Sequence, residues 1–324
     1  MKRLFKILGY TIGAVLALIV LAAAYIQIKG APTYEYQLTA DIAKLQVSRD
    51  SAQLARGAKI ASLLCKECHR DFQTGKMTGH IMTDLPKEFG TVASYNITQD
   101  KTNGIGDWTD GELYYYLRRS IRKDGHYNAV MAGFNLVADS DIQAMIAWLH
   151  SDDPTLAPDP KEYPPNQSNF LVKLLCNTVF TPPPLPSAPI VVPDTSNKVA
   201  LGKYLADGLI ACYSCHSADI KTIDTKVPEH SAGYYGGGTL MLNYDGETVP
   251  SANITMDKET GIGTWTAEQF RDAVKYCKNP KGGLLYYPMF PHTTLTDGEV
   301  DAIFAYLQTV PIIKNAVTRY KPKG

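Results

Sequence analysis

The chain has 324 residues, enough for two ordinary domains and a tail, and its 32 Lys and Arg balance 32 Asp and Glu. No net field therefore points to nucleic acid. Only residues 1–30 are lopsided, with Lys2, Arg3, Lys6 and Lys29 and no acid.

The first predicted element is residues 7–28, a stretch without a charge. A helix of that length rises about 33 Å, enough to cross the hydrocarbon core of a bilayer. The apolar core of a cleaved signal peptide is usually shorter, roughly 7–15 residues. A buried core helix would be apolar on one stripe, whereas this segment is apolar all round, so a membrane anchor is expected over residues 1–30. Cleavage after Ala22-Ala23-Ala24 stays open, with an uncleaved anchor preferred. The positive-inside rule leaves Lys2, Arg3 and Lys6 in the cytoplasm and sends everything after Gly30 to the outer face.

Residues 54–64 and 199–210 read as helices leading into two related strings, Cys65-Lys66-Glu67-Cys68-His69 and Cys212-Tyr213-Ser214-Cys215-His216. In C-x-x-C-H the two thiols add across the vinyl groups of a haem, and the adjacent histidine reaches the iron as proximal ligand. One such string alone also fits a redox dithiol or half a zinc site. A zinc ribbon wants its second C-x-x-C some 15–20 residues on, roughly, and no strands suited to a redox dithiol are apparent. Two covalently attached haem c groups are the expected cofactors, on Cys65, Cys68 and His69 and on Cys212, Cys215 and His216. Cys176 and Cys277 are left over. In an oxidising compartment they could pair, adding about 2–4 kcal/mol.

The strings belong to a duplication. Residues 96–109 recur as residues 253–266, sharing Asn-Ile-Thr and Gly-Ile-Gly-x-Trp-Thr, and Ala147-Trp148-Leu149 recurs as Ala305-Tyr306-Leu307. The second copy holds about ten extra residues between its string and its repeat, most simply in the glycine-rich stretch 233–246. Closing helices follow in each copy. Ile142, Met145, Ile146 and Leu149, and Val300, Ile303, Phe304 and Leu307, fall at i, i+3, i+4, i+7. The first is read as opened by Asp139, the second by the capping box Thr296-Asp297-Gly298-Glu299. No sustained alternation argues for a sheet, so the fold class is mainly α.

A sixth iron ligand must come from position. Before the closing helices stand Asn128-Ala129-Val130-Met131-Ala132-Gly133-Phe134 and Tyr286-Tyr287-Pro288-Met289-Phe290-Pro291. Met131 and Met289 occupy the same repeat position, which favours ligation over core filling, the reading given to Met145. Met77, Met82, Met241, Met256, His230 and His292 compete but have no counterpart at the repeat offset. Between the copies, residues 153–193 hold eleven of the twenty prolines. That density favours extended, semi-rigid chain. The apolar run 169–175 inside it is expected to pack on a domain or cover the seam between the two.

Together these residues resemble the cytochrome c subunits of bacterial membrane-bound alcohol, aldehyde and gluconate dehydrogenases. The resemblance is carried by Arg56-Gly57 and Leu201-Gly202-Lys203-Tyr204-Leu205 before the strings, by the Asn-Ile-Thr and Gly-Ile-Gly-x-Trp-Thr segments, and by the methionine loops. It implies two tandem class I cytochrome c-like domains behind an N-terminal transmembrane helix: an anchor at 1–30, domains at 45–150 and 198–312, a proline-rich linker at 151–197 and a tail at 313–324. The setting implied is a bacterial inner membrane, crossed once, with the haem domains on the periplasmic face. Asn96-Ile97-Thr98 and Asn253-Ile254-Thr255 would then line the haem edge, with Trp108 and Trp265 near the propionates; building the core is an equal reading. Arg118, Arg119, Arg122 and Lys123 read first as a solvated helix face and second as a propionate or docking patch.

Two haems with both axial positions filled accept one electron each and leave no place for a substrate. The expected function is therefore an electron relay, tethered at the membrane near its redox partners: a dehydrogenase subunit, a quinol-oxidising complex, a terminal oxidase or a soluble cytochrome. The alternative is a di-haem enzyme such as a peroxidase or thiosulfate dehydrogenase, which would need an open distal site or a cysteine over one iron.

Overall fold

The structure is a computed structural model that describes residues 2–131, 133–318 and 320. Helix α1, Lys2–Lys29, is long and apolar enough to cross a membrane, with a mean hydropathy of 2.4 in its most apolar window and none of that window buried. The rest of the described chain is mainly helical.

Two helix crossings organise the core. Helix α2 (Ser51–Leu64), capped by the Asp50 carboxylate on Ala52 N and Gln53 N, meets the later helix α4 (Asp139–Leu149) at Gly57. A Cβ there would run into the Ala144 carbonyl. Further on, helix α6 (Lys198–Lys203) meets α8 (Asp297–Leu307) at Gly202, where a Cβ would strike the Ala302 carbonyl. Absence of the side chain is what lets each pair of backbones close. Ile60, Leu63, Ile142, Ile146 and Trp148 fill the first crossing, and Leu201, Leu205, Val300, Ile303 and Leu307 the second. Each such side chain contributes roughly 1.5–3 kcal/mol on full burial. Met145 is 1% exposed and fills the core.

Between these helices lie α3 (Asp110–Arg119) and α7 (Ala267–Tyr276), both opened by full capping boxes, Thr109 with Glu112 and Thr266 with Gln269. Thr296 and Glu299 open α8 in the same way. The expectation for α4 needs correcting. Its N-cap is Ala138, with no side-chain cap, and Asp139 instead turns its carboxylate to Arg118 and Tyr114, at 2.5 and 2.9 Å.

Helix α6 runs on into a π-turn at Tyr204–Leu209. The wider turn aims Asp207 inward, where its buried carboxylate accepts from the hydroxyls of Tyr234, Tyr235 and Tyr306 at 2.6 to 2.8 Å. The extra residues of the second copy form a hairpin that alternation did not reveal: β1 (Leu240–Leu242) pairs antiparallel with β2 (Thr248–Pro250). Strands of three residues are too short to show a period, although Asp245-Gly246 is a turn signal.

The proline-rich segment wraps rather than merely links. Asn166 Oδ1 accepts from Ala93 N at 2.8 Å, Tyr163 Oη donates to Gly79 O at 2.8 Å, and Lys161 pairs with Asp71. Its helix α5 (Phe170–Thr178) packs on α1 and on the turn Lys87–Phe89, and Asn177 Nδ2 donates to Gly30 O at 2.9 Å. The apolar run thus packs beside the exit of α1. The halves on either side of this segment are joined by polar contacts. Lys59 Nζ meets Glu299 at 2.5 Å, and Arg56 grips Asp141, which also accepts from Tyr204 Oη at 2.6 Å.

Candidate haem-binding sites

Each C-x-x-C-H string follows a helix and folds as one short turn, Lys66–His69 capped by Cys65 in the first and Cys212–His216 in the second. The histidines are held alike. His69 Nδ1 lies 2.7 Å from Tyr95 O, and His216 Nδ1 lies 2.8 Å from Ala252 O, each carbonyl one residue before an Asn-Ile-Thr segment. With Nδ1 donating to a carbonyl, Nε2 carries the free lone pair, the orientation a metal-ligating imidazole needs. Burial pushes the pKa of both rings down, which keeps them neutral.

The cysteines sit in surroundings unlike those of a reactive dithiol. Burial pushes the Cys65 and Cys212 thiols up to about 12 and Cys68 up to about 11. Reactive dithiols have depressed values instead. A zinc reading gains no geometry either, since among the described residues no group of three or more His, Cys, Asp or Glu converges.

Beside His69 opens a cleft of about 330 Å³ whose lining includes Cys65, Trp108, Arg122, Lys123 and Met131. The structure therefore brings His69 and Met131 to one cavity, with apolar Ile97, Leu113 and Leu117 between. A cysteine, a neutral histidine, a thioether and an apolar interior with cations beside it match what a covalently held haem requires. The Met131 loop is tied down by Ser120 Oγ donating to Met131 O at 3.0 Å and by Asn128 Oδ1 accepting from Met131 N at 3.3 Å. Ala132 lies outside the described residues.

The cationic run divides by position. Arg118 is wholly buried, donating to Phe134 O and Val137 O at 2.7 and 2.6 Å, so it clamps the loop instead of facing solvent. Arg119 Nε donates to Pro183 O. Arg122 stacks over Tyr95 at 4.6 Å and Lys123 over Trp108 at 4.8 Å, both lining the cleft where propionates would be met. The solvated-face reading fails for Arg118, and the propionate reading gains support for the last two.

Asn96 is both a hydrogen-bond hub and part of the cleft wall. Its Oδ1 accepts from Thr98 N and Oγ1 at 2.9 and 2.7 Å, and its Nδ2 ties down Asp159 O at 2.7 Å, while the residue also lines the cleft. Asn253 repeats the pattern on Thr255 and on Ile313 O.

In the second half, Met289 follows Tyr287-Pro288 and its carbonyl accepts from Cys277 Sγ at 3.5 Å. Trp265 and Lys281 line a smaller cavity of about 160 Å³. His292 stands at the repeat position of Phe134. Its Nδ1 lies 2.9 Å from Phe290 O, and burial lowers its pKa. Of the remaining competitors, Met77 is fully buried in the core. Cys176 and Cys277 are both buried free thiols, so the disulfide considered from the sequence is absent.

No protein-family model matches the chain. Among curated proteins it is similar to the alcohol dehydrogenase (quinone) cytochrome c subunit of Gluconacetobacter polyoxogenes, 28% identical over 287 residues and 84% of this chain. The gluconate 2-dehydrogenase cytochrome c subunit of Pantoea cypripedii is 27% identical over 76% of the chain. A diheme cytochrome c-type protein of Cereibacter sphaeroides is 31% identical over 103 residues, 31% of this chain and 32% of its own. The chain spans 58% and 56% of the lengths of the first two. It thus resembles the cytochrome c subunits of bacterial dehydrogenases.

Proposed function

We propose that the chain is a membrane-anchored di-haem c-type cytochrome that relays single electrons from a dehydrogenase or quinol-oxidising partner to a downstream acceptor. The observation that carries this is the paired histidine geometry: two C-x-x-C-H strings, each with its imidazole Nδ1 tied to the equivalent carbonyl. The names of the relatives support it. In this reading residues 45–150 and 198–312 are tandem class I cytochrome c-like domains, joined by 151–197. Helix α1 is the anchor, and the haem domains stand on the periplasmic side.

The haems would supply one-electron iron chemistry. Cys65, Cys68, Cys212 and Cys215 would hold them covalently, and His69 and His216 would present Nε2 to the irons. Met131 and Met289 would be the further protein ligands, and thioether ligation would raise both potentials. Arg122 and Lys123 would neutralise carboxylates at the first cleft. The clamped Met131 loop favours a filled distal position over a substrate-binding one, and so a carrier over a peroxidase or thiosulfate dehydrogenase. Membrane tethering would raise the local concentration of the relay near its partners.

Optical and EPR spectra of the purified protein, followed through a redox titration, test this reading. Two low-spin one-electron centres with Met–iron character are expected. A stable high-spin haem would overturn the carrier assignment.

A further inference from the structure

The extra residues of the second repeat reach across to the first half. The hairpin turn between β1 and β2 carries Tyr244, whose ring stacks on Tyr287 with centroids 4.0 Å apart and planes 18° apart. Phe72, from the first half, meets Tyr244 edge-on at 6.0 Å. Tyr287 Oη donates to Asp84 Oδ2, again in the first half, over 2.5 Å. A hydroxyl–carboxylate bond of this kind is strong and directional, and it ties the Met289 loop to the first half.

Both ends of this seam reach the candidate sites. Phe72 is the third residue after His69 and packs on His80 at 5.1 Å. Tyr287 is the second residue before Met289. A hairpin that the first repeat lacks thus carries its turn into a three-ring line that runs from the segment after the first string to the Met289 loop.

We propose that the Phe72, Tyr244 and Tyr287 rings form the electron bridge between the two haem sites, with Tyr244 at its centre. The inference rests on the haem reading above. One electron leaves a ferrous iron at one site and reduces a ferric iron at the other. No bond or proton moves, and the rings stay closed-shell, acting as packed matter through which electronic coupling decays more slowly than across water.

The test uses the full-length protein in detergent. Haem content and both potentials are measured first, then the inter-site transfer rate after a single electron is injected by pulse radiolysis. Tyr244→Leu, which lies outside both ligand sets, is expected to slow transfer severalfold with two haems and both potentials retained. Tyr287→Phe keeps the stack and is expected to keep the rate. A wild-type rate in Tyr244→Leu overturns the bridge. Fewer than two haems in the wild-type chain would instead overturn the haem reading itself.

Discussion

Cys277 stands in the second repeat where Ser120 stands in the first. Each ends its helix in a left-handed conformation, φ 54° and 53°, and each reaches the carbonyl of the loop methionine, Cys277 Sγ to Met289 O and Ser120 Oγ to Met131 O. The thiol is thus a loop tether. Cys277→Ser is expected to keep Met–iron character at the second site and Cys277→Ala to weaken it, read from the optical spectrum. Alkylation of unfolded, unreduced protein should label two thiols per haem-loaded chain; labelling of none would show the Cys176–Cys277 bridge.

Arg118 is the clamp of the first loop. Its guanidinium is wholly buried and joins Phe134 O, Val137 O and Asp139. Arg118→Leu strands those acceptors, at a cost on the order of 3 kcal/mol. Thermal unfolding should show a lowered midpoint, and the first site's Met–iron character should weaken before the second's.

The crossing glycines admit no side chain. A Cβ at Gly57 meets Ala144 O, and one at Gly202 meets Ala302 O. Gly57→Ala and Gly202→Ala should each destabilise by about 1–3 kcal/mol through forced separation of the helices. Denaturant titration of each variant checks this, and an unchanged midpoint would refute the crossing.

One strap carries a pH dependence. The Lys161 ammonium, with the Thr74 and Gln73 amides, lowers the Asp71 carboxyl from 3.8 to about 2, and Lys161 is itself raised from 10.5 to about 12. A depressed carboxylate contributes stability above its unfolded pKa and loses it as pH falls through the folded value. The raised ammonium contributes below its unfolded value and loses it as pH rises toward its folded one. The contribution should therefore hold from about pH 4 to pH 10 and fade outside. Lys161→Met should shrink the acid limb between pH 4 and 2, leaving the part due to the Thr74 and Gln73 amides. Proteolysis or hydrogen exchange of the strap across pH reads it.

Features that depend on nearby residues were legible in the sequence: α1, the capping box at Thr296, the closing helices, and both C-x-x-C-H strings. Features made by distant partners were not. Nothing near Arg118 says that its charge is buried, because its partners come from the loop at 134–139. Asp139 reads as a cap until Arg118 and Tyr114 claim it. The proline-rich strap gives no sign of wrapping, since its bonds go to carbonyls and amides more than 60 residues away. The pairing of Cys277 with Ser120 was available in principle, because the two are separated by the same 157 residues as the Asn-Ile-Thr segments.

Intact-mass measurement of the denatured protein tests the central claim most directly. Covalent haem survives unfolding, so wild-type chain should carry two haem additions. Cys65→Ser with Cys68→Ser should leave one, and so should Cys212→Ser with Cys215→Ser. A wild-type chain that carries none, or that keeps two when either pair is removed, would contradict the account.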